Sequence, residues 1–180
     1  YLQIGNLFHI NSNLKNETKI GAFKVEIINP YTPFFFNNRK KLHCIISAMS
    51  MIKLFSAENQ KNEKVYELII KFFNFIKNSD WIKNYILWEL ELLKLLGYDL
   101  DLAKIVNKEI INNQTKYFVK NTKEKKNVPS FLIETNLENI NTQELLNGLN
   151  LVSNYIEKNI LNSNNISIPI SRIDFVNLLK

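Results

Sequence analysis

WIKNYILWELELLKLLGYDLDL, residues 81–102, is the stretch whose reading decides the fold. At 100° per residue Trp81, Ile82, Tyr85, Trp88, Leu92, Leu93 and Leu96 share one broad face, the pattern of a helix laid against a core, while Lys83, Glu91 and Lys94 face away. Ser79 and Asp80 stand where an N-cap would accept from the first free N–H groups, and Gly97 stands where a left-handed residue ends a helix. Glu89 falls inside the apolar face, where a carboxylate is costly to desolvate unless a cation meets it.

Outward from this helix, the periodicity predicts a helix over 42–56 and another over 63–78, the second with Val65, Leu68, Ile69, Phe72, Phe73 and Ile76 on its stripe. A further helix runs from a Thr142 cap to about Leu161, with Leu145, Leu146, Leu149, Val152, Tyr155, Ile156 and Ile160 inward. Pro169 and Ser171 introduce a last short helix, 172–180, that docks through Phe175, Val176 and Leu179. Residues 103–140 are the least regular part, with Tyr117-Phe118-Val119 as a short strand and a hairpin expected around 115–135. Before the helices, Leu2-Gln3-Ile4 and Leu7-Phe8-His9-Ile10 read as extended, 11–18 as a polar connection, and Phe23-Lys24-Val25-Glu26-Ile27 as a half-buried strand. Two strands alone are marginal in water, so they are expected to pack on the helices or to belong to a larger sheet whose earlier strands lie ahead of Tyr1. The fold class is therefore mainly α: a helical bundle preceded by two strands.

With 180 residues and 46% hydrophobic content the chain is long and apolar enough to bury a core. The net charge of +6 suits a polyanionic partner without requiring one. A lone Cys44 leaves no disulfide framework within the chain. No apolar run approaches the ~20 residues that span a bilayer, and no charged-then-apolar leader is read, so a soluble cytoplasmic protein that inserts in no membrane is expected.

Catalysis finds little material. His9 and His43 are the only imidazoles, and His43 and Cys44 are neighbours whose side chains diverge by about 100° on a helix. No phosphate-cradling glycine loop is present. A non-enzyme without cofactor is expected. Asp99 and Asp101 beyond Gly97 read as turn or cap residues, not as metal ligands.

Two basic tracts are the binding candidates. Phe34-Phe35-Phe36 precedes Arg39, Lys40 and Lys41, which is either a stacking platform with an electrostatic flank or a packed domain junction beside a solvated helix start; the packed junction is the preferred reading. Lys116, Lys120, Lys123, Lys125 and Lys126 surround a strand and a turn, and read as a DNA-facing loop or as an ordinary solvated hairpin. Arg39 and Arg172 are the only arginines in a chain that otherwise uses lysine. That contrast suggests positions needing a planar, permanently charged fork, and an ion pair between Glu89 and Arg172 is expected to pin the last helix, with Arg39 as the alternative partner.

The segment WELELLKLLGYDLDL (88–102) resembles the central helix and following turn of the bacterial recombination-repair family RecO. Arg39-Lys40-Lys41-Leu42, Ala57-Glu58-Asn59-Gln60 before Val65-Tyr66-Glu67-Leu68, Tyr117-Phe118-Val119 and Pro169-Ile170-Ser171-Arg172 fall in that family's order. The resemblance implies that 1–30 are the closing strands of an OB-fold barrel and 31–180 a RecO-like helical domain. It implies a mediator of recombinational repair that binds single- and double-stranded DNA, anneals strands, contacts the tail of the single-strand-binding protein and, with RecR, helps load RecA. Many members carry a four-cysteine zinc site from the position that looks like Ile105. Here Ile105 and Lys108 stand where a Cys-x-x-Cys pair would lie, so no metal is expected. The alternative class is a helical module whose grooves bind a partner peptide and whose basic surface is incidental.

Overall fold

The computed structural model describes residues 2–13, 21–57, 60–111, 114–120, 126–134, 137 and 140–180. The chain divides into two compact units: residues 1–54 with 169–178, and residues 55–168 with 179–180.

In the first unit, β1 (Leu7–Asn13) and β2 (Ala22–Asn29) form an antiparallel ribbon in which His9 faces Glu26, with an irregularity between Leu7 and Phe8. Leu2-Gln3-Ile4 is not a strand: Gly5, at φ +89°, turns the chain and lets Asn6 N–H donate to the Gln3 carbonyl at 3.2 Å. The expected half-buried face of β2 is also absent, because the strand is exposed along its whole length, Phe23, Val25 and Ile27 included. A 3-10 turn (Thr32–Phe35) leads into α1 (Arg39–Phe55), whose buried Cys44, Ile45, Ala48 and Met51 recur at helical spacing. In α6 (Ile170–Leu179) the buried side chains are Arg172, Phe175, Val176 and Leu179, one stripe with an arginine at its head.

The second unit is built on α2 (Glu63–Phe75) and α3 (Trp81–Leu95), antiparallel neighbours joined by a five-residue turn. Asn62 caps α2, accepting from Val65 N–H at 3.1 Å. Asp80 occupies the N-cap of α3 but its side chain caps nothing; the first turn is closed by its carbonyl, which accepts from Asn84 N–H at 3.2 Å. The other end follows the sequence: Gly97 at φ +86° lets Tyr98 N–H reach the Leu93 carbonyl (2.8 Å) and Gly97 N–H the Lys94 carbonyl (3.1 Å), a Schellman closure. Phe72, fully buried, lies 5.3 Å from the Trp88 ring centroid and 6.3 Å from that of Tyr85, and Trp88 stacks on Tyr85 at 5.9 Å. A buried indole N–H needs an acceptor, and Trp88 Nε1 donates to the Leu68 carbonyl of α2 at 2.8 Å.

The short α4 (Leu102–Ile105), capped by Asp101, runs into a sheet of β3 (Val106–Ile111), β4 (Gln114–Val119) and β5 (Asn127–Val128), ordered β3-β4-β5. The sheet thus begins at Val106, earlier than the hairpin expected around 115–135, and β3 was not foreseen. Tyr117, buried, donates its phenol to Glu134, across seventeen residues of sequence. This bond and burial both hold the Tyr117 phenol above its ordinary pKa of 10.0. A raised phenol pKa gives stability that is complete below pH 10 and is lost as pH climbs through the folded-state value. Tyr117→Phe is expected to lower the urea midpoint at neutral pH and to flatten the alkaline decline of stability, read by repeating the titration from pH 7 to pH 11.

α5 (Thr142–Ile156) starts one residue earlier than the expected cap: Asn141 accepts from Glu144 N–H at 2.8 Å, and Thr142 is its first helical residue. Gly148 is required by close approach, since a Cβ there would stand 2.8 Å from Cζ of the fully buried Phe131. The helix then continues through a π turn, Glu157–Leu161, which buries the consecutive Ile160 and Leu161. No helix of the described residues is long and apolar enough to cross a membrane.

Candidate nucleic-acid interface

The basic candidates fall into two sets, one in each unit. In the first unit Arg39, Lys40 and Lys41 form the first turn of α1, which Asn38 opens by accepting from Lys41 N–H at 3.1 Å. Arg39 and Lys40 are exposed; Lys41 is half-buried, its Nζ 5.9 Å from the Phe35 ring centroid. No acid stands in that turn, and none occurs in the sequence between Glu26 and Glu58. Cations at a helix N-terminus oppose its dipole, so the arrangement is one that a bound anion would relieve. Of the triple phenylalanine, Phe35 is buried, while Phe34 is 76% and Phe36 51% exposed.

In the second unit Lys116 sits on β4 directly opposite Glu109 of β3, a cross-strand pairing that offsets its charge. Lys120, at the end of β4, donates through Nζ to the Lys104 carbonyl at 2.8 Å. Lys126 is exposed, and its carbonyl accepts from Val119 N–H at 3.0 Å. Lys104, whose carbonyl takes that bond, has its amine held by Asp101 at 2.7 Å, which pushes the amine up and draws the carboxyl below its ordinary range. Lys123 and Lys125 lie outside the described residues. The second set is thus interleaved with acids, whereas the first is not.

Glu89 and Arg172 are 1% and 0% exposed. Within its own helix Glu89 Oε1 accepts from the Tyr85 phenol at 2.6 Å, one turn back. Glu89 is therefore in the core, as its place on the apolar face requires. Lys83, assigned by angle to the outward face, is instead half-buried, and its Nζ donates to the Leu137 carbonyl at 2.8 Å. That carbonyl is 54 residues away in the chain, beyond what a helical wheel foresees. Ile82, Lys83, Leu137, Ile140 and Leu145 line a cavity of about 440 Å3, with Ser79 and Asp80 at its wall. The residues at the expected zinc position supply no donor, since Ile105 ends α4 and Lys108 lies in β3. Among the described residues no group of three or more His, Cys, Asp or Glu could hold a metal ion.

Residues 37–165 match the family model described as Recombination protein O C terminal. Among curated proteins, the DNA repair protein RecO of Rickettsia africae is 32% identical over 102 residues, covering 57% of this chain and 43% of that protein. The RecO of Rickettsia canadensis is 31% identical over 102 residues, with 57% and 42% covered. That of Wolbachia sp. subsp. Drosophila simulans is 35% identical over 104 residues, with 57% and 43% covered. The chain spans less than half the length of these relatives. No solved structure matches. The central helix with its Schellman turn, the order of elements around it and the match over 37–165 agree, and the chain belongs to the RecO C-terminal family.

Proposed function

We propose that this chain is part of a non-enzymatic, cytoplasmic DNA repair factor that acts in recombination by binding DNA. The observation that carries the reading is an exposed cationic turn at Arg39, Lys40 and Lys41, within a stretch free of acids, in a protein whose relatives are named DNA repair protein RecO. Residues 1–30 are the closing strands of an OB-type barrel, and 31–180 the helical domain; the ribbon of β1 and β2, exposed along β2, supports a larger sheet around it. In this reading the protein holds single and double strands, anneals complements, meets the tail of the single-strand-binding protein, and works with RecR to load RecA. Lys116, Lys120, Lys123, Lys125 and Lys126 extend the phosphate contacts as a second set. Lysines act on phosphate as point charges and read no base edge, so binding is non-specific in sequence.

Counterion release supplies the test. Each phosphate contact adds roughly 0.7 to the slope of log affinity against log salt on a single strand. Lys40→Glu with Lys41→Glu is expected to weaken binding and to flatten that slope by at least about 1.4, measured by anisotropy titration of a labelled oligonucleotide at several salt concentrations. An unchanged slope removes the turn from the interface.

A second reading rests on the cavity of about 440 Å3 beside α3 and α5, a volume suited to a few apolar side chains of a peptide. Occupancy by such a peptide would respond weakly to salt, which separates it from phosphate binding.

A further inference from the structure

A 3-10 turn has three residues per revolution, so successive side chains leave it about 120° apart. Of Phe34, Phe35 and Phe36 only one can be pressed into the protein, and it is Phe35, 7% exposed. Its neighbours then diverge into solvent. Burying Phe35 asks nothing aromatic of them; a polar residue would serve at either place, as Asn37 and Asn38 do next in the chain.

The turn that displays the two rings is held at both ends. Thr32 donates through Oγ1 to the Ile4 carbonyl at 2.6 Å and through N–H to Asn6 Oδ1 at 3.0 Å. Pro33 fixes its own φ, Phe36 N–H donates to the Pro33 carbonyl at 3.3 Å, and Asn38 N–H to the Phe35 carbonyl at 2.8 Å. Arg39 and Lys40 follow three and four residues after Phe36, exposed and with no acid near them in sequence. A ligand that suits this must offer flat apolar faces and negative charges in alternation. An unpaired nucleic-acid strand does so, its bases free to lie on the rings and its phosphates on the cations. A duplex keeps its base faces in its own stack. A peptide finds no groove between rings that diverge.

We infer that Phe34 and Phe36 are base-stacking residues that, with Arg39 and Lys40 on the adjoining phosphates, give this protein a preference for single-stranded over duplex nucleic acid. The inference rests on the nucleic-acid reading above and adds the residues that select the strand.

The test is an anisotropy titration of the purified protein with a labelled mixed-sequence oligonucleotide and with its duplex, at one moderate salt concentration and then across a salt series. Phe34→Ala with Phe36→Ala is expected to weaken single-strand binding about tenfold or more. Duplex affinity should move less than about twofold, and the salt slope should stay as it was, because no charge is removed. Phe34→Trp with Phe36→Trp should retain wild-type affinity, which a merely disruptive substitution would not. Equal losses on both substrates, or loss in the Trp variant as well, overturn the inference. Unchanged single-strand affinity in a wild type that binds DNA overturns it alone, and would hand the rings to a protein partner. A wild type that binds neither substrate overturns the nucleic-acid reading and the inference with it.

Discussion

Glu89→Gln is expected to lower the unfolding free energy by about 3–5 kcal/mol, and Arg172→Met by a similar amount. Glu89 is 1% exposed on a helix face otherwise made of Trp, Tyr, Ile and Leu, where a carboxylate gives up its hydration and depends on the groups around it, the Tyr85 phenol among them. Arg172, 0% exposed, heads the buried stripe of α6 with Phe175, Val176 and Leu179. A guanidinium does not lose its proton in a protein, so burial must be met by an opposite charge or by several acceptors. Gln keeps the acceptor for Tyr85 and removes only the charge. Denaturant midpoints of the wild type and of each single variant read the two losses. A loss of a few tenths of a kcal/mol, the scale of an exposed charge, would show that burial of that residue contributes little.

Phe72→Ala should cost about 3–5 kcal/mol as well, for a different reason. Phe72 is fully buried, and its ring lies 5.1 Å from that of Phe73, 5.4 Å from Phe75, 5.3 Å from Trp88 and 6.3 Å from Tyr85. Removing it opens a void where α2 meets α3, and the stacked pair Tyr85 and Trp88 cannot close over it without leaving the Leu68 carbonyl that Trp88 holds. Urea unfolding followed by tryptophan emission reads both consequences, a lower midpoint and a red-shifted native spectrum. Phe72→Leu should lose less, about 1.5 kcal/mol or below. A loss under ~1 kcal/mol for the alanine variant would show that this cluster is not the centre of the unit's packing.

The helices were legible because an apolar stripe at a 3.6-residue period is a property of the sequence itself, and Gly97 is the one residue type that closes α3 without strain at φ +86°. What escaped reading depends on partners distant in the chain. Val106–Ile111 has no clean alternation, since its side chains are buried, exposed or half-buried as its neighbours dictate, and so it did not announce a strand. Lys83 lies at an outward angle on the wheel, yet its Nζ reaches the Leu137 carbonyl. Tyr117 and Glu134 are unremarkable until the sheet brings phenol to carboxylate. The candidate interface divides the same way. A run of three cations is visible in the letters, while the exposure of two phenylalanines out of three follows from a turn whose pitch the letters do not state.

The π turn at Glu157–Leu161 has a consequence for how relatives are lined up. A ring closed five residues apart takes in one residue more than an α turn, and that extra residue lets Ile160 and Leu161, adjacent in sequence, both face inward. A homologue one residue shorter here would simply be α-helical through the same span and bury one of the two positions. A single-residue gap placed inside this helix is then a real insertion rather than an error to be pushed into the next loop, and the numbering of everything from Asn162 to Lys180 turns on where it is put.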